Sequence, residues 1–270
     1  MKNNNEVDKQ ILNSKDFPEK LAEMNELAEN IKHRLFGLDP VKALTLLANS
    51  FPGKIVFSTS FGWEDQVITH IIFSNNIPIK VFTLETGRLF PETYYTWNRT
   101  MEMYGKPIHA YYPQHQLVEQ MVNKKGPNSF YESVENRKEC CNIRKVEPLK
   151  RALAGNDCWI TGIRAEQSIN RHFMDDVEWD DQNKLIKFHP VFNWSLDEIK
   201  EYIKINNIPY NILHDKGFPS IGCAPCTRAV REGEDFRAGR WWWEDQSKKE
   251  CGLHGSSTQP SPVGRALQTD

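Results

Sequence analysis

Residues 54–67 read KIVFSTSFGWEDQV. KIVFS (54–58) is a run of apolar and aromatic residues suited to a buried strand. A short polar loop follows, and WEDQVITHIIFSNN then sets Val67, Ile68, Ile71 and Ile72 at helical spacing. In a parallel sheet, a loop of this kind sits at the carboxyl end of its strand, where ligands bind. Ser58, Thr59, Ser60 and Gly62 supply hydroxyls and unhindered N–H groups there. The positive end of the next helix points at the same spot, which suits phosphate or sulfate. No G-K-[ST] triplet occurs, so this is not a Walker A loop. An ordinary βα turn capped by Ser and Thr fits the spacing equally well.

The same alternation extends outward in both directions. IKVFTLET (79–86), PIHAYYP (107–113) and CWITGIR (158–164) read as further strands. ETYYTWNRTMEMYG (92–105) and HQLVEQMVNKK read as helices, the first ending on Gly105. Residues 17–49 hold two short helices, with Leu21, Met24, Leu27 and Ile31 on one and Val41, Leu44 and Leu47 on the other. Ser195 followed by Glu198 is a capping box that opens a helix through Leu196, Ile199, Tyr202 and Ile203. The fold class is α/β, a layered sandwich with a mostly parallel sheet. Past about residue 215 the periodicity gives way to Gly, Cys, Arg and Trp, expected as a functional tail laid over the core.

The chain has 270 residues, 39% hydrophobic and 26% charged, enough for a sizeable core. Its 34 Lys and Arg nearly balance 36 Asp and Glu, so a general nucleic-acid binder is not expected. No apolar run is long enough for a membrane span. The first 20 residues are polar, against a secretory signal, and a cytoplasmic location is expected.

Six cysteines remain to be placed. In a reducing cytosol, clustered thiols bind metal or do redox chemistry more often than they form structural disulfides. Cys140 and Cys141 lie in ECCNIRK, and Cys223 and Cys226 in GCAPC. Two pairs of thiolates suit an all-cysteine zinc site or an iron–sulfur cluster. Adjacent side chains converge poorly on one tetrahedral centre, which favours the cluster modestly. Two redox disulfides are the other reading. Cys158 opens an apolar strand and fits core packing. Cys251 stands in KKECGLH, where Lys248, Lys249 and His254 would favour its thiolate, unless it is an incidental surface cysteine. Arg144, Lys145, Arg164, Arg171, Arg237 and Arg240 recur beside these motifs. Each alone is a solvated charge; together they point to a pocket for a small polyanion. Trp241 to Trp243 read as packing.

These motifs resemble one family closely. STSFGWEDQV, TLETGRLFPETY, ECCNIRKVEPLKRAL, WITGIRAEQSINR, HPVFNWSLDEIKEYI, GCAPCTRAV, RAGRWWWE and ECGLH follow, in order, the signatures of the assimilatory adenylyl-sulfate (APS) and phosphoadenylyl-sulfate (PAPS) reductases. They cover roughly residues 50–254. The resemblance implies an adenine nucleotide α-hydrolase-like, Rossmann-like fold with a C-terminal catalytic tail. It implies that Cys251 attacks the phosphosulfate sulfur, releases AMP and becomes an S-sulfocysteine, from which thioredoxin or glutaredoxin releases sulfite. It implies a [4Fe–4S] cluster on Cys140, Cys141, Cys223 and Cys226, the mark of a subgroup that mostly prefers APS. Lys145, Arg237, Arg240 and His254 would face the phosphosulfate, and Ser60 and Gly62 the nucleotide. Leu84, Thr86 and Gly87 would lie near base and ribose, and Arg164 and Arg171 in the same pocket, with Arg171 the favoured contact. A homo-oligomer would be common for such a protein.

The expected organisation is one α/β reductase domain over 1–254, with a helical part at 1–50, a cluster-binding and catalytic part at 215–254, and a disordered tail at 255–270. Trp63 departs from the small residue many relatives carry. No thioredoxin-like domain follows, so the electron donor would be a separate protein. PAPS or dual APS/PAPS reduction is the alternative. An ATP-dependent adenylating enzyme of the same superfamily and a metal-stabilised binding module are more remote.

Overall fold

A computed structural model of the chain describes residues 17–167 and 174–244. Two helices come first, α1 (Phe17–Leu35) and α2 (Pro40–Ser50). Asp39 caps α2 by accepting from the Lys42 N–H at 3.0 Å, and Pro40 supplies a first-turn residue that needs no partner. Ile31, Leu44 and Leu47 are buried as their spacing requires, whereas Leu27 faces solvent.

The sheet alternates with helices: β1 (Ile55–Ser58), α3 (Trp63–Ser74), β2 (Lys80–Leu84), α4 (Pro91–Tyr104), β3 (His109–Tyr111), α5 (His115–Lys125). Next come α6 (Val134–Cys141), a π-helical turn (Asn142–Val146), α7 (Glu147–Leu153), β4 (Cys158–Ile160), β5 (Val177–Asp180), β6 (Leu185–Phe188) and α8 (Leu196–Ile205). The strand order is β3-β2-β1-β4-β6-β5, parallel throughout except for β5, which runs antiparallel to β6. Both faces are covered, so β1 and β4 are apolar along almost their whole length. Gly105 ends α4 at φ 60°, and the capping box of α8 is closed in both directions. Among the described residues, no helix is long and apolar enough to cross a membrane.

Two differences from the sequence reading matter for the site. The predicted strands 107–113 and 158–164 shrink to three residues each. Past Ile160 only the Thr161 N–H still reaches β6, at Phe188 O, and the chain then lines a cavity. The β5–β6 hairpin was not anticipated. Its Lys187 is 2% exposed, and a buried lysine breaks the apolar pattern by which strands are read.

Candidate active site

A cavity of about 240 Å³ opens at the carboxyl ends of β1, β2 and β4. One side is the 58–62 loop. Ser60 donates its N–H and its hydroxyl to Asp65 Oδ2, at 2.6 and 2.7 Å. Phe61 takes φ 61°, is fully buried and stacks on Trp97. A bulky residue in this left-handed conformation is strained, and the surrounding packing holds it there. Asp65 is itself buried. Burial raises its carboxyl to about 6 even though the Ser60 hydrogen bonds pull the other way. A Cβ on Gly162 would overlap Asp65 Oδ1, so glycine is required where β4 leaves the sheet.

The opposite side is cationic. Lys145 projects from the π-helical turn, and Arg237 and Arg240 come from the irregular segment after residue 217. The Arg240 guanidinium lies against Gly222, and beyond it Trp241 stacks at 4.9 Å from the guanidinium carbon. Glu64 and Asp65 line the other wall, so the cavity is polarised across its width. It suits a ligand with an anionic end and a hydrogen-bonding body.

Between the two walls, Leu84 and Thr86 carry the end of β2. Gly87 turns the chain at φ 71° and donates its N–H to both oxygens of Glu85, each at 2.9 Å. Arg144 donates to Thr86 O at 2.6 Å, and the Cys223 thiol donates to Thr86 Oγ1 at 3.3 Å. Thr86 therefore joins the cavity to the cysteines.

Cys140, Cys141, Cys223 and Cys226 share one buried cluster with Ile143, Phe130 and Trp241, and none of the four is in a disulfide. Burial pushes Cys140 up against the opposing pull of Arg144. Burial, reinforced by Cys223, pushes Cys226 up to about 12. Cys223 behaves differently: burial alone would raise it, but Lys145, the Thr86 contact, Arg240 and Arg144 outweigh burial and hold it below an ordinary thiol. Among the described residues, no three His, Cys, Asp or Glu side chains form a group that could hold a metal ion. Cys158 is fully buried and pushed far up by burial, as core packing requires.

Of the residues singled out in the sequence, Ser60, Gly62, Leu84, Thr86, Lys145, Arg237 and Arg240 line this one cavity, whereas Gly87, next to Thr86, lies against Arg144 and is not in the lining. Arg164 does not line it. Its guanidinium is 1% exposed and is taken by Glu64 at 2.7 Å, Glu166 at 2.8 Å and Trp194 O at 3.1 Å. Arg171, Cys251 and His254 lie outside the described residues. The sequence reading missed Thr161 and His214, both cavity-lining. Thr161 follows a strand directly, the position where site residues cluster in such sheets. His214 lies in a stretch with no periodicity to mark it.

The chain matches the profile of the phosphoadenosine phosphosulfate reductase domain over residues 54–229. It is 48% identical over 210 residues to the adenosine 5'-phosphosulfate reductase of Burkholderia cepacia, covering 78% of this chain and 84% of that one. Against the enzyme of the same name from Allochromatium vinosum it is 50% identical over 207 residues, 77% and 81% of the two chains. The crystal structure of phosphoadenylyl-sulfate reductase from Candida auris, a phosphate complex, superposes with a TM-score of 0.65 at 29% identity, covering 76% of this chain and 97% of that one. On these matches the chain is a member of the phosphoadenosine phosphosulfate reductase family.

Proposed function

We propose that the protein reduces adenosine 5'-phosphosulfate to sulfite and AMP in assimilatory sulfate reduction, acting in the cytoplasm. The carrying observation is the cavity of about 240 Å³ that Lys145, Arg237 and Arg240 line together with the serine loop. APS reductases are the relatives matched at 48–50% identity, which favours APS over PAPS. The Cys251 thiolate attacks the sulfur of the sulfuryl group, and the S–O bond to phosphate breaks with AMP as leaving group. A thiol of thioredoxin or glutaredoxin then attacks Cys251 Sγ and expels sulfite. Its second thiol resolves the mixed disulfide, so the donor dithiol supplies both electrons. Negative charge develops on the sulfuryl oxygens and the leaving phosphate, where fixed cations contribute most. Lys145, Arg237, Arg240 and His254 take that role. Ser60, Gly62, Leu84, Thr86, Gly87 and Arg171 hold the nucleotide, while Arg164 supports the loop through Glu64.

Cys140, Cys141, Cys223 and Cys226 hold a [4Fe–4S] cluster in this proposal. The donor set fits: four buried, unbridged thiols stand beside Arg137, Arg144 and Lys145, whose charge offsets that of the thiolates. A cubane takes one thiolate at each of four corners, so the sulfurs need not converge on one ion. When bound, the cluster supplies a fixed charge behind Lys145. The chain acts as one α/β reductase domain over 1–254 with a tail at 255–270.

The test uses anaerobically purified, reduced protein with sulfur-35-labelled APS and, separately, labelled PAPS, without thioredoxin. Label is expected on the wild type from APS, absent in Cys251→Ser and released as sulfite by thioredoxin. Label from PAPS alone would move the substrate, and no label from either would end the covalent mechanism. Iron and acid-labile sulfide assays on the same sample decide the cluster.

A further inference from the structure

Residues 228–239 form a closed loop between Cys226 and Trp241, and its far end reaches the cavity. The neck is narrow. Thr227 and Arg240 pair as an isolated antiparallel bridge, and the Arg228 N–H donates to Gly239 O at 3.0 Å. A Cβ on Gly239 would overlap Arg228 O, so glycine is required where the two arms close. The neck rests on the cysteine segment: Thr227 Oγ1 donates to Cys223 O at 3.0 Å, and the Trp241 N–H donates to Cys226 O at 3.1 Å. The far end carries Phe236 and Arg237, which line the cavity together with Arg240 from the neck.

One ion pair crosses the inside of the loop. Arg228 Nη1 and Nη2 donate to the two oxygens of Glu234 at 2.7 and 2.8 Å, and the Arg231 N–H donates to Glu234 Oε2 at 2.8 Å. The Arg228 bonds, with that N–H, hold the Glu234 carboxyl down at about 2, so it is an anion at neutral pH. Asp235 is committed as well: its Oδ1 accepts the Arg237 N–H at 2.8 Å. Glu234 stands three residues from Arg237 yet is not in the cavity lining. A carboxylate so close to a cavity cation competes with any anionic ligand for it. The planar guanidinium fork of Arg228 takes both carboxylate oxygens and keeps Glu234 at the neck instead.

We infer that Arg228 is a positioning residue for the anionic end of the nucleotide: by engaging Glu234 at the neck, it fixes the loop that brings Arg237 to the cavity and keeps that carboxylate off the cationic wall. The inference rests on the reading of the cavity as a sulfonucleotide site. Arg228 and Glu234 touch no substrate and act through Arg237. Their pairing explains how a stretch that holds Glu232, Glu234 and Asp235 can present an arginine to an anion.

The test is equilibrium binding of two probes to the anaerobically purified full chain: ADP, whose terminal phosphate stands in for the sulfuryl group, and adenosine, which lacks the anionic end. Arg228→Met frees Glu234 and should weaken ADP about tenfold while adenosine affinity holds. Glu234→Gln removes the competitor along with the ion pair and should weaken ADP only about twofold. The double variant Arg228→Met/Glu234→Gln should return to the level of Glu234→Gln, because no carboxylate is left to compete. Unchanged ADP affinity in Arg228→Met, an equal loss of adenosine, or a double variant at least as weak as Arg228→Met overturns the inference and leaves APS reduction standing. Wild type that does not bind ADP overturns the nucleotide reading as well.

Discussion

Two buried arginines, each paired with glutamate, hold different halves of the molecule. Arg164 leaves β4 and meets Glu64, in the first turn of α3 beside the serine loop, at 2.7 Å. Arg137 lies on α6 next to Cys141 and meets Glu244 through two bonds, at 2.9 and 2.7 Å. Its guanidinium also covers Trp241 at 4.7 Å. Around Arg164 the backbone is already fixed by a six-stranded sheet and the helices on it. Around Glu244 there is almost no ladder: residues 217–244 hold one short 3-10 turn and an isolated bridge between Thr227 and Arg240. The same ion pair is thus an accessory in one place and a fastening in the other.

The sharpest way to break that contrast is to remove one partner from each pair. Glu244→Ala takes from buried Arg137 the carboxylate that holds it through two bonds, leaving Cys141 and the Trp241 ring beside it, and a guanidinium cannot shed its proton. A loss of about 3–5 kcal/mol is expected in equilibrium unfolding. Arg164→Ala leaves a carboxylate that a proton can neutralise and that Gln167 still bonds at 2.9 Å. Here the expected loss is about 1–3 kcal/mol. Equal losses would mean that the sheet does not carry its own half.

A smaller effect isolates the sheet side by pH. Asp65 has a folded value of about 6 against an ordinary 3.8. The folded state therefore holds its proton longer than the unfolded chain does. The associated stability is fully present below about pH 4 and is lost as pH rises through about 6, of the order of 3 kcal/mol in all. Asp65→Asn should flatten that part of the stability–pH curve. A difference between wild type and variant that stays constant from pH 4 to 7 would show that the carboxyl is not raised.

The smallest effect concerns the one described cysteine outside the cluster. Cys158→Ala should cost about 1 kcal/mol and leave S-sulfocysteine labelling unchanged. Any loss of label would give this buried thiol a part in the chemistry.

The two halves were also unequally legible. The strand, serine loop and helix at 54–74 could be read directly, because strand patterning, small polar residues and helical spacing occur in sequence with nothing to contradict them. The capping box at Ser195 was readable for the same reason. The cysteine pairs were visible as residue types, and their common burial fits that reading. Arg164 was misplaced because a lone arginine in a basic neighbourhood looks alike whether it meets substrate or Glu64. The Arg137–Glu244 pair spans 107 positions, so no local pattern announces it. Lys187 hid β6 because its burial depends on partners across the hairpin rather than on its own neighbours.

The π-helical turn at Asn142–Val146 divides what would otherwise be one rod from Val134 to Leu153. Pro148, just beyond it, lacks the N–H that a regular helix would direct back to Arg144, and the wider turn accommodates that gap. Such a turn amounts to one residue added to the helical count, so it sets the angular phase between the cysteines before it and everything after it. Shortening the turn by one residue would rotate the two ends by about 100° relative to each other. Cys141 would then no longer sit with the other buried cysteines while Lys145 lines the cavity. Length in this segment is therefore as strict a constraint as the identity of Arg144 and Lys145: a side chain that faces neither the cavity nor the cysteines can be exchanged, but the number of residues cannot.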